Sequence, residues 1–149
     1  MTLRDHVKLF RREFNEDFDI PDRSMVRVLH NFLTECCKVG SMLLARWLEE
    51  IGLARRCDIQ LVANAEVAGG GTHAWLKVVD ITVDVTYGQF SRRKDEIVVA
   101  RHSQWHDRLR GAIFYRWEEF MVMNARYERD FEAFYHQLSS RLKKRLTKQ

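Results

Sequence analysis

The sequence predicts an α+β fold: N-terminal helices, a small antiparallel sheet on which the last of them packs, and a long C-terminal helix. Three observations carry this. Apolar residues recur at spacings of three and four as far as Ile51, the period falls to two between Ile59 and Tyr87, and a helical stripe returns from Ile113. At 149 residues the chain is read as one domain, 1–149, with its core over about residues 22–90 and the long helix over 113–146.

Thr2 is placed to cap a first helix through Val7, Leu9, Phe10 and Phe14. Pro21 opens a second, where its missing N–H costs nothing, with Met25, Val26, Leu29, Phe32 and Leu33 on one face. A third carries Leu43, Leu44, Trp47, Leu48 and Ile51, and Gly52 stops it. The second and third are either continuous or broken at Thr34, a good N-cap. If Thr34 caps, Cys36 and Cys37 fall in the first turn of the new helix.

From Ile59 the alternation of Ile59, Leu61, Ala63, Ala65 and Val67 predicts a half-buried strand, ended by Gly69, Gly70 and Gly71. Residues 73–79 and 81–87 then read as a hairpin turning at Val79-Asp80, a turn without glycine. Beyond Ser91 the chain is basic and unpatterned until Ile113. From there Phe114, Trp117, Phe120, Met121, Tyr127, Phe131, Phe134, Leu138 and Leu142 trace the last stripe, which serves the core or receives a second copy or a partner protein.

Composition narrows the function classes. A chain 46% hydrophobic and 31% charged, with one proline, is globular rather than disordered. No apolar run nears the roughly 20 residues of a membrane span, and Met1 to Asp5 begins no signal peptide, so a cytoplasmic protein without membrane contact is expected. Cys36, Cys37 and Cys57 are odd in number and two are adjacent, which suits reduced thiols better than a disulfide framework. Neighbouring cysteines cannot easily both face one tetrahedral ion and no C-x-x-C occurs, so no metal is expected. The glycine run lacks the lysine and helix start of a phosphate cradle, and no organic cofactor is expected either.

The formal charge of +4 is uneven. Residues 91–149 hold 14 Lys/Arg against 8 Asp/Glu, and residues 1–90 hold 11 against 13. The basic tail R-L-K-K-R-L-T-K has no interleaved aromatics, so a solvated helix end is expected there in preference to a nucleic-acid contact.

The stretch GGGTHAWLKVVDITVDVTYGQF, residues 69–90, sets His73 beside a tryptophan and Asp84 between valines inside an otherwise apolar pattern. A two-residue turn at Val79-Asp80 pairs Trp75 with Asp84 and puts His73 one diagonal step from Asp84 on the same face, within side-chain reach. A histidine held by a buried aspartate has a fixed tautomer and a stabilised imidazolium, as a nucleophile's general base requires. Asp80, in the turn, is the rival acid and the more solvated one. Cysteine early in a helix fits the missing nucleophile, because the helix terminus and a nearby imidazolium both favour thiolate.

The segment C-K-V-G-S-M-L-L-A-R-W-L-E-E-I-G-L from Cys37 resembles the nucleophile helix of the transglutaminase-like (papain-like) cysteine enzymes, and H-A-W-L-K-V with V-D-V-T resembles their histidine and aspartate strands. The C-x-x-x-S and H-A-W elements are also similar to those of lasso peptide leader peptidases. The resemblance covers about residues 31–90. It implies a triad of Cys37, His73 and Asp84, with Cys36 the alternative nucleophile, and acyl transfer on peptide or protein amides. Peptidase leads, with glutamine deamidase and transglutaminase-type acyltransferase as alternatives. The Cys37 backbone N–H, Asn31 and Gln89 are candidates for oxyanion donors, and Trp75 for a wall of the site or part of the core. The competing class is a non-catalytic module that binds a partner through the C-terminal helix.

Overall fold

The computed structural model describes residues 1–14, 37–123 and 128–148, and the architecture is α+β. The expected helix from Pro21, the Thr34 cap, Asn31 and Cys36 lie outside the described residues.

Helix α1 spans Leu3–Glu13 and starts as expected: Thr2 Oγ1 accepts from the Asp5 N–H at 3.2 Å while the Thr2 N–H donates to Asp5 Oδ2 at 2.8 Å. This reciprocal capping box satisfies two orphan donors, and the helix buries Val7, Leu9 and Phe10. Helix α2, Cys37–Glu50, is buried along most of its length from Val39 to Leu48. Gly52 ends it at φ +75°, a conformation only glycine adopts freely. At Gly40 an added Cβ would lie 2.7 Å from the Phe14 ring, so glycine lets the two elements meet closely.

Five antiparallel strands follow: β1 Ile59–Glu66, β2 Thr72–Val78, β3 Ile81–Asp84, β4 Val98–Ala100 and β5 Ile113–Arg116, in the order β4-β3-β2-β1-β5. The hairpin register is the expected one, with Leu76 opposite Val83, Lys77 opposite Thr82 and Val78 opposite Ile81. Its turn holds Val79 at φ +56°, the first central position, where glycine would normally supply a positive φ.

The alternation expected along β1 breaks at one point. Between Val62 and Ala65 the pairing with β2 slips by one residue, with Asn64 at φ +63°. Asparagine tolerates that region better than most residues, and the resulting bulge changes the phase of the strand. Ala63 therefore packs in the main core, whereas Ala65 joins Val62 and Trp75 in a second, smaller cluster with Leu109 and Ala112. The sheet is thus apolar on both faces near His73.

The long helix is shorter than the stripe suggested. Residues 113–116 form edge strand β5, and helix α4 covers Trp117–Met123, after the four-residue helix α3 at Gln104–Asp107. The long C-terminal helix, α5, is Glu128–Thr147. Phe114 is exposed on β5, which is why its place in a helical stripe was accidental. Phe131, Phe134, Leu138 and Leu142 are buried in this chain's own core. The basic tail pairs internally too, Lys143 with Glu50 at 2.7 Å and Arg145 with Glu13 at 2.8 Å. Among the described residues no helix is long and apolar enough to cross a membrane.

Candidate active site

The site gathers at the open end of the β2–β3 hairpin. Asp84, last residue of β3, is fully buried, and His73, second in β2, is 1% exposed. His73 Nε2 lies 2.6 Å from Asp84 Oδ2, the short separation of a charge-assisted hydrogen bond. The other carboxylate oxygen accepts from the Thr86 N–H at 3.0 Å and from its hydroxyl at 3.4 Å. The aspartate is therefore held by the chain just beyond it, which is the role of the threonine in V-D-V-T. Asp80, the rival acid, is exposed in the turn and faces Arg101 at 3.8 Å.

Cys37 opens α2, is partly buried, and stands near enough to the His73 ring to act on its protonation. Burial works against the imidazolium, but hydrogen bonding and charge from Asp84 and from Cys37 prevail and push His73 up to about 9. Asp84 is held below the usual carboxylate range: burial opposes ionisation, and the hydrogen bonds from two histidines, with their charge, overcome it. Cys57, the other described thiol, is exposed.

Gln89 lies in a single 3₁₀ turn, Tyr87–Phe90, and its amide nitrogen is 3.2 Å from His73 Nδ1. The turn fits only because residue 88 is glycine: a Cβ there would lie 2.0 Å from the Lys94 carbonyl oxygen. The amide donates to Nδ1 of a neutral ring, and a half-turn about its axis presents the carbonyl to a protonated one. Gln89 is therefore at the site, against the imidazole face that Asp84 leaves unused. Trp75 is both core and wall, 5% exposed, with its ring centroid 5.8 Å from that of His73.

Sequence reasoning missed the second histidine. His106, on α3, is 3% exposed, and its Nε2 lies 2.7 Å from the same Asp84 Oδ2. Its Nδ1 is 2.6 Å from Ser103 Oγ. Trp105 beside it packs edge-on to His73 at 5.8 Å, and Phe90 does so at 4.7 Å. The available signal was a tryptophan and a histidine adjacent in the otherwise polar run R-H-S-Q-W-H-D-R. A groove of about 850 Å³ runs past residues 66–68, Phe90, Gln104, Trp105 and residues 108–110, so it shares the Phe90 and Trp105 wall with the imidazole.

His73, Asp84 and His106 each offer one metal-ligand atom, all within 4.8 Å of one another. The spacing argues for shared protons instead. Two ligands on a tetrahedral ion with bonds of about 2.0–2.1 Å sit roughly 3.3 Å apart, well beyond the 2.6 and 2.7 Å between each Nε2 and the carboxylate oxygen. What the arrangement supplies is a buried anion with two imidazole donors, one of them next to a thiol. No family model, curated protein or solved structure matches the chain.

Proposed function

We propose that the chain is a cysteine-dependent enzyme acting on peptide or protein amides, most simply a peptidase, as its likeness to transglutaminase-like cysteine enzymes suggests. The observation that carries the reading is the buried 2.6 Å bond between His73 and Asp84, with Cys37 at the head of a helix beside the same ring. A histidine buried for packing alone has no need of a dedicated carboxylate that itself takes four donors.

In the proposed reaction the Cys37 thiolate attacks the amide carbonyl, and the C–N bond breaks as imidazolium His73 gives its proton to the leaving amine. The thioester that forms is resolved when neutral His73 takes a proton from water and the hydroxide displaces the Cys37 sulfur, which returns acid product and the thiolate–imidazolium pair. Asp84 keeps the ring in place and stabilises its positive form without itself being protonated. The Gln89 amide, at the ring, and the Cys37 backbone N–H are the donors available to the oxyanion. The groove along Phe90 and Trp105 has room for a peptide segment, which favours cleavage of a chain over chemistry on a small free amide.

The test is incubation of the chain with peptide libraries and cell lysate, followed by mass spectrometry. Cleaved products that vanish with Cys37→Ala and survive a chelator support the peptidase reading. One-dalton shifts or crosslinks with the same dependence move it to deamidation or transfer. Products that persist in Cys37→Ala, or that disappear with chelator, would overturn it.

A further inference from the structure

We infer that His106, oriented by Ser103, is a positioning residue that acts through Asp84 on the proton affinity of His73. This rests on the proposal that His73 is the base of a cysteine enzyme. The two imidazoles compete for one oxygen: Nε2 of His73 lies at 2.6 Å and Nε2 of His106 at 2.7 Å from Asp84 Oδ2. A proton on each nitrogen is needed for both contacts to be bonds, since carboxylate oxygen only accepts. For His106 the hydroxyl of Ser103, 2.6 Å from Nδ1, fixes this arrangement by donating there and leaving the ring hydrogen on Nε2.

The consequence is a division of charge. Each donor on Oδ2 neutralises part of the negative charge that stabilises the imidazolium at His73, so the His106 bond moderates how tightly His73 holds its proton. A base that held its proton too strongly would be slow to give it to a leaving amine and slow to recover it from water. Burial makes the effect large, because His106, Asp84 and His73 are all shielded from solvent. Among the described residues, the titratable groups facing this cluster are Cys37 from α2, His106 from α3 and Tyr87, whose ring lies 5.7 Å from that of His106. Gln89, Thr86, Trp75, Phe90, Trp105 and Ser103 also face the cluster among the described residues, without charge.

The experiment follows the ¹⁵N shifts of the His73 imidazole against pH in the full chain, in His106→Phe, His106→Gln and Ser103→Ala. Phenylalanine keeps the bulk and removes the donor, and glutamine can place an amide N–H near the Nε2 position. The expected result is a His73 midpoint raised by about one pH unit in His106→Phe, a tenfold gain in proton affinity. His106→Gln should restore most of the original value, and Ser103→Ala should give a smaller rise, about twofold in affinity. Should His106→Phe fail to fold, Ser103→Ala still decides the matter, because it removes the lock on His106 and leaves its ring in place. An unchanged His73 midpoint in whichever folded variant lacks the donor or its lock overturns the inference, even if Cys37 proves reactive. Absence of a reactive Cys37 in the unaltered chain overturns the catalytic reading instead, before any variant is compared.

Discussion

At the scale of single residues the decisive fact is that burial and charge oppose each other at His73, and charge wins. The folded chain holds a proton there up to about 9, whereas an unfolded histidine releases it near its ordinary value of 6.5. Between those values the folded state binds more protons than the unfolded one, so stability falls as pH rises. The contribution is fully present below about 6.5 and is lost as pH passes through about 9. Urea midpoints measured from pH 6 to 10 should therefore drop across that window, by an amount on the order of a few kcal/mol in stability, and His73→Asn should flatten the drop. An equally steep fall in His73→Asn would assign it to other groups.

At the scale of elements, two turns set the site and each has a test. Val79 occupies a positive-φ position that costs a β-branched residue roughly 1–2 kcal/mol, and its side chain is 67% exposed, so nothing is gained from it. Val79→Gly should stabilise the chain by about 1 kcal/mol in chemical denaturation, the relieved strain exceeding the added freedom of the unfolded chain. Gly88→Ala should do the opposite. Its Cβ would meet the backbone of Lys94, at a cost of about 2 kcal/mol or more, and the displaced turn would withdraw Gln89 from His73. Retention of full stability in Gly88→Ala would show that the turn has slack.

The same elements mark how far the sequence could be read. The hairpin was legible because strict alternation and a two-residue turn leave one register that buries the valines, and that register brings His73 to Asp84. The bulge at Asn64 was not, since a single residue in a left-handed conformation leaves the apolar pattern almost intact. Helix α3 escaped because four residues cannot establish a period, and the charges around Trp105 and His106 mask their burial. Edge strand β5 was absorbed into a helical stripe because Phe114 happens to fall in phase with Trp117 and Met121.

At the scale of the whole molecule, the site draws on parts far apart in the chain. The thiol comes from α2, the imidazole and carboxylate from the hairpin, the second imidazole from α3, and α1 and α5 close the core beneath them. Salt bridges from α5 to Glu13 and Glu50 tie the C-terminal end to both helices. Such a layout makes sense if thiol and imidazole work as one unit, and that is the central claim. It is tested most directly by the rates at which iodoacetamide alkylates each cysteine between pH 5 and 10, mapped by peptide mass spectrometry. Cys37 should be labelled about tenfold or more faster than exposed Cys57 at pH 7, and His73→Ala should remove the difference. Equal, slow labelling of Cys37 and Cys57, unchanged by His73→Ala, would contradict it.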